Sequence, residues 1–170
     1  MSFNLLQINH FSHAEFVRVI GPVFENSPWI AETTWSKKPF ASVEALHAVF
    51  CETVKSAGEE KQLAMICAHP DLVGKLALVG QLTKESVNEQ ASAGLGKLSP
   101  EEIELFQKNN AVYKQKFGFP FVICARLNKT AAILAGFEQR LENSQGQEIQ
   151  TALEEIFKIA ELRLRDLTQE

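Results

Sequence analysis

The sequence lacks any apolar run approaching the ~20 residues that a membrane-spanning helix requires. It also lacks an excess of basic residues: the formal net charge is -4 over 170 residues, and the charges are spread along the chain. Neither a nucleic-acid footprint nor an anionic-membrane footprint is visible, so neither partner is expected. Residues 1–9 show no basic start or apolar core of a secretory signal, and Leu167-Thr168-Gln169-Glu170 is not a peroxisomal address. Cysteine is scarce. Cys51, Cys67 and Cys124 are odd in number, sit among apolar neighbours and have no metal-ligand spacing, which predicts buried thiols in a reducing cytoplasm. No repeat, low-complexity tract or linker is present. Apolar residues make up 45% of the chain, and that content at this length is enough for one domain over 1–170 with a real core.

What is present is mostly helical signal. Ser12 and Glu15 form a capping box that predicts a short helix to Ile20, ended by Gly21-Pro22. Ser27-Pro28 opens another, with Trp29, Ile30 and Thr33 on one face, broken at Lys37-Lys38-Pro39. Val43, Leu46, Val49, Phe50 and Val54 recur at helical spacing, and Gly58 closes that segment. A further helix over 59–68 ends at His69-Pro70. Proline drives the preceding residue out of the helical region and suits the first turn of the next helix, so His69 is placed at a joint between helices. Short helices are expected over 71–79 and 83–94. Ser99-Pro100-Glu101-Glu102 combines a cap, a first-turn proline and a capping-box glutamate, and predicts a helix to Gly118 through Ile103, Phe106, Ala111, Val112, Tyr113 and Phe117. The period then changes: residues 119–126 read as one extended segment. Asn128 or Thr130 is expected to cap a helix to Leu141, and Ser144 with Gln147 to cap the longest, ending near Leu167. The fold class is all-α, about eight or nine helices in a single-domain bundle.

Four features stand out as chemistry. An isolated histidine is most simply a satisfied, partly buried side chain, but His69 is displayed where backbone shape can aim it into a cleft, and imidazole titrates near neutrality. The helix over 83–94 has only Val87, Ala91 and Ala93 as apolar members, too few to anchor it by burial. Ser86, Glu89 and Gln90 share one of its faces. That face is either solvated or turned inward onto a small polar ligand, where Glu89 needs a partner or a raised pKa. The extended segment has no sheet to pair with, so its backbone groups must be met by side chains, water or a ligand with alternating donors and acceptors, such as a cyclic ureide. On the last helix the inner stripe is Ile149, Leu153, Ile156, Ala160, Leu164 and Leu167. Arg163 falls at the stripe's edge, whereas Arg165 faces solvent. An arginine there snorkels, pairs with a carboxylate, or clamps an anionic or carbonyl-bearing substrate. His10 and His13 lack a third ligand at metal spacing, so no metal is expected, and His47 is expected to be exposed.

Together these residues resemble the 2-oxo-4-hydroxy-4-carboxy-5-ureidoimidazoline (OHCU) decarboxylases, which act last in the route from uric acid to allantoin. The matching pieces are Ala-His-Pro-Asp-Leu at 68–72, Glu-Ser-Val-Asn-Glu-Gln-Ala-Ser-Ala-Gly-Leu at 85–95, Tyr-Lys-Gln-Lys-Phe-Gly-Phe-Pro-Phe-Val-Ile-Cys-Ala-Arg at 113–126 and Ile-Ala-Glu-Leu-Arg-Leu-Arg-Asp-Leu at 159–167. The resemblance implies an all-helical fold, decarboxylation of a small ureide to (S)-allantoin without metal or organic cofactor, and a homodimer. It implies His69 as catalytic acid/base, Glu89 beside it and Arg163 on the substrate. Pro70, the run Ser86, Val87, Asn88, Glu89 and Gln90, and the run Phe121, Val122, Ile123, Cys124 and Ala125 are implied as substrate-binding. His69, Glu89 and Arg163 are expected to converge on one dry cavity. Alternatives are a non-catalytic helical binding module using the Ser86–Glu89–Gln90 face, a related decarboxylase with a different substrate, and a metal-dependent hydrolase built on His10, His13 and His69.

Overall fold

In the computed structural model, residues 2–74 and 80–168 are described, and among them are nine α-helices, three 3-10 turns and no strand. A single isolated bridge joins Phe3 to Thr168. The all-α expectation holds. The chain divides into two compact units, Met1–Ala68 with Phe157–Glu170, and His69–Ile156.

The first unit begins with α1 (Leu5–His10), which apolar periodicity does not reveal, although Asn4 and Gln7 cap it reciprocally. Ser12 and Glu15 do the same for α2 (His13–Ile20), and Gly21 and Pro22 divert the chain into a 3-10 turn. α3 (Trp29–Trp35), α4 (Val43–Lys55, capped by Ser42) and α5 (Glu59–Cys67) follow, each packed on its neighbour. Helix α3 buries Ile30, Ala31 and Thr34. Thr33 is instead exposed, its hydroxyl bonded to the Trp29 carbonyl at 2.8 Å. Phe16, Ile20, Phe24, Leu46 and Phe50 form the core, with Phe24 and Phe50 edge to face at 5.4 Å.

The second unit holds α6 (Lys84–Ser92, capped by Thr83), α7 (Pro100–Phe117) and α8 (Thr130–Arg140). Helix α7 starts on the expected capping box at Ser99 and Glu102, and Gly118 ends it in the left-handed region at φ 79°. Its buried residues are Phe106, Asn110, Tyr113 and Phe117, while Val112 stays exposed. Neither Asn128 nor Thr130 caps α8: Asn128 donates to the Cys124 carbonyl and Thr130 to the Ala93 carbonyl. The core is aromatic, with Phe121 stacked on Phe137 at 3.9 Å. The last helix, α9 (Gln145–Leu167), opens on the expected box of Ser144 and Gln147 and contributes residues to both units.

Three further expectations are corrected. Residues 71–74 form a turn and not the start of a helix, and 75–79 lie outside the described residues. His47 is half-buried, because its Nε2 donates to the Phe157 carbonyl at 2.9 Å. The cysteines are not uniformly buried: Cys124 is, Cys51 is intermediate, and Cys67 at the end of α5 is exposed. Burial raises the thiol pKa of Cys51 and of Cys124. Alkylation of native protein with iodoacetamide is therefore expected to modify Cys67 first and Cys124 last, resolved by peptide mass spectrometry. Among the described residues no helix is long and apolar enough to cross a membrane.

Candidate active site

His69 lies where expected, in a non-helical joint directly after the Ala68 cap of α5. It is 9% exposed. Pro70 is half-buried, and the turn after it is held by side chains from two helices. The Val73 N–H donates to Gln90 Oε1 of α6 at 3.1 Å, and Asn110 Nδ2 of α7 donates to the Leu72 carbonyl at 2.8 Å. Lys114, one turn beyond Asn110, pairs with Asp71 Oδ2 at 3.0 Å. Among the described residues Asp71 Oδ1 and Asn110 Oδ1 are buried without a hydrogen-bond partner, so the turn and the helix beside it carry polar atoms that ordinary core-building avoids. It is tight as well: a Cβ on Gly74 would sit 2.7 Å from Asp71 Cβ. Gly74→Ala is expected to displace the turn that carries His69, costing about 1–3 kcal/mol and lowering kcat/KM. Thermal melts and steady-state kinetics on the same preparation check both.

The polar face of α6 turns inward. Ser86 and Gln90 are 5% and 8% exposed, and Glu89 between them is half-buried. Val87 and Asn88 occupy the outer face and are exposed, so their side chains are not brought together with Ser86 and Gln90. A helix almost without large apolar residues thus buries hydroxyl and amide, which burial energetics alone does not favour. Helix α6 lies against the 3-10 turn Ala125–Leu127, which puts Glu89 near the end of the extended segment. Burial is the main cause of the raised Cys124 pKa. The Leu127 N–H bond opposes it, and the Glu155 and Glu89 carboxylates add to it.

Phe121, Val122, Cys124 and Ala125 are buried and Ile123 is half-buried. The backbone of this segment is met largely by side chains. Arg140 Nη1 donates to the Val122 carbonyl at 2.6 Å, and the Cys124 N–H donates to Glu155 Oε2 at 2.7 Å. The two clamps hold the residues on either side of Ile123. Among the described residues neither the N–H nor the C=O of Ile123 is hydrogen-bonded. A donor and an acceptor side by side suit a ureide.

Arg163 belongs to the other unit. It is 5% exposed, so the edge of the stripe on which it falls is buried as well. Its Nη1 contacts Glu25 Oε2 at 2.9 Å and the Pro22 carbonyl at 3.3 Å. Glu25, itself 3% exposed, escaped sequence reasoning, as did the buried Arg140 and Glu148, while Tyr113 reads only as a member of its helix. The arginine-with-carboxylate alternative named a class of partner, but no spacing points from position 163 to position 25.

Two histidines of the metal-dependent alternative are engaged within their own unit. His10 Nδ1 bonds the Leu6 carbonyl at 2.7 Å, and His13 packs edge-on against Trp35 at 5.3 Å. Among the described residues no group of three or more His, Cys, Asp or Glu could hold a metal ion.

Comparison with known proteins places these features in a family context. The OHCU decarboxylase family model matches residues 9–165. An OHCU decarboxylase of Halalkalicoccus jeotgali is 42% identical over 161 residues, which are 95% of this chain and 89% of that protein. A crystal structure of an OHCU decarboxylase in the presence of (S)-allantoin superposes with TM-score 0.70 at 25% identity, covering 87% of this chain and 96% of that one. A crystal structure of (S)-allantoin synthase gives TM-score 0.77 at 24% identity, a likeness of fold. It covers 98% of this chain and 54% of that one, so the chain spans about half the length of that protein.

Proposed function

Because the chain belongs to the OHCU decarboxylase family, we propose that it converts 2-oxo-4-hydroxy-4-carboxy-5-ureidoimidazoline to (S)-allantoin in uric acid degradation. The observation that carries this reading is α6, whose Ser86 and Gln90 are buried while the Gln90 carbonyl holds the turn that presents His69. The matched stretch runs through both compact units, which supports treating residues 1–170 as one functional domain.

The carbon that loses carbon dioxide in this substrate also bears a hydroxyl and adjoins an imine carbon. When the bond to the carboxylate breaks and carbon dioxide leaves, its electron pair forms a double bond to the imine carbon and the imine nitrogen takes a proton. The hydroxyl then becomes the product carbonyl as its proton passes to a base of the site. The former imine carbon then takes a proton on one face. The substrate supplies its own electron sink, so the protein's tasks are orientation and proton management. His69 and Glu89 hold the hydroxyl and take up its proton, with His69 as the proton donor. Arg163 fixes ring or carboxylate oxygens through its planar fork. Pro70, Ser86, Gln90 and residues 121–125 line the ureide, with Ile123 offering its backbone N–H and C=O. Val87 and Asn88, exposed on the outer face, contribute through the backbone of α6 alone.

A coupled assay tests the reading. Urate is oxidised in situ, the intermediate is hydrolysed, and the optical activity of the allantoin is followed with and without the protein. Rapid appearance of the (S) enantiomer is expected, and racemic product at the spontaneous rate would overturn the proposal. The reaction is proposed to be cofactor-independent and cytoplasmic, with a homodimer as the working species. A chelator is expected to leave the rate unchanged, and light scattering to report twice the chain mass.

A further inference from the structure

A buried ionic cluster in the second unit does nothing in the chemistry just described, yet it touches the extended segment directly. Glu148 is fully buried, and Arg140 is 7% exposed. Arg140 Nε donates to both Glu148 oxygens at 3.1 and 3.0 Å, and its Nη2 donates to Oε2 at 2.9 Å. The Tyr113 hydroxyl also donates to Glu148, and Asn143 Nδ2 donates to its Oε1 at 2.8 Å. The carboxylate is thus saturated, and the guanidinium it holds cannot swing. Burial and the Glu148 bond push the Tyr113 pKa upward, which keeps the phenol protonated as a donor.

The remaining prong of this fixed fork is spent on the segment. Nη1 takes the Val122 carbonyl at 2.6 Å, and the guanidinium carbon lies 4.3 Å from the centre of the Phe121 ring. A buried ion pair is weak evidence for stability, because desolvating two charges offsets most of their attraction. Its geometry here grips two successive residues of a segment that belongs to no helix or sheet. We propose that Arg140 is a positioning residue for the reaction: held by Glu148, it fixes the register of residues 121–123 so that the Ile123 backbone pair faces the ureide. This rests on the reading of 121–125 as substrate-lining.

Lysine at position 140 keeps the charge but loses the fork. With His69 and Glu89 untouched, Arg140→Lys is expected to raise KM by about tenfold or more, to leave kcat within about threefold, and to leave the pH profile unmoved. It is also expected to speed amide exchange in the peptide spanning 119–126, where the Cys124 N–H is otherwise protected by Glu155. An unchanged KM in the folded variant, or a fall in kcat alone, overturns the inference, since a merely structural arginine lowers the active fraction without moving KM. If Arg140→Lys does not fold, the milder Asn143→Ala decides. Removing one donor from Glu148 is expected to raise KM by about threefold, and no change overturns the inference. If the wild-type protein fails the coupled assay, the functional reading falls, and exchange in the 119–126 peptide alone judges the clamp: faster exchange in the variant supports it, unchanged exchange rejects it.

Discussion

Replacing His69 with asparagine is expected to lower kcat by ~10² or more while the protein stays folded. The side chain is 9% exposed and sits in a joint, not in a helix, so asparagine's lower helix propensity costs nothing there and a polar group of similar reach remains. What it removes is a ring nitrogen able to take up and release a proton, which no amide can supply. The loss should therefore appear in kcat, and the limb of the pH–rate profile belonging to an imidazole should vanish. Glu89→Gln is expected to act in the same direction. A His69→Asn enzyme with near-normal turnover and an unchanged profile would take the imidazole out of the chemistry altogether.

The second large effect concerns stability. Arg163 and Glu25 meet at 2.9 Å with side chains only 5% and 2% exposed. Glu25→Gln keeps the shape and deletes the charge, leaving the buried guanidinium without that carboxylate. Breaking a buried pair from one side costs about 3–5 kcal/mol, a large share of the roughly 5–15 kcal/mol that holds a typical domain together. Urea denaturation should show the midpoint falling at constant slope. The double variant Glu25→Leu, Arg163→Met should recover most of the loss, because it removes both desolvation costs together. A single-variant cost below about 1 kcal/mol would mean that water reaches the pair and screens it. Arg163→Lys separates this role from substrate contact: it keeps a cation for Glu25 and gives up the fork, so KM should rise more than stability falls.

Local chemistry made much of this protein readable in advance. The capping boxes at Ser12, Ser99 and Ser144 each rest on groups three residues apart, and each one starts a helix where expected. His69-Pro70 marked its joint through a steric rule that acts on adjacent residues. The expectations that failed depend on distant partners. The turn at 71–74 reads as a helix start until the Gln90 amide carbonyl and the Asn110 amide take its backbone groups, from 17 and 38 residues away. His47 is drawn under cover by a carbonyl 110 residues along the chain. Glu25 answers Arg163 from the other end of the sequence. Ser86 and Gln90 sat between two readings because periodicity tells which residues share a face, not what the face meets.

Val73 adopts φ 53°, a region that β-branched side chains rarely enter, and its own side chain is 4% exposed. Such a conformation costs on the order of 1–3 kcal/mol, and it persists here under tethers to α6 and α7. The segment presenting the imidazole is therefore a loaded spring whose catch is the Gln90 carboxamide. Relaxing it with Val73→Asn should ease the backbone and loosen the hold on position 69, making this turn a place where thermostability and turnover pull in opposite directions.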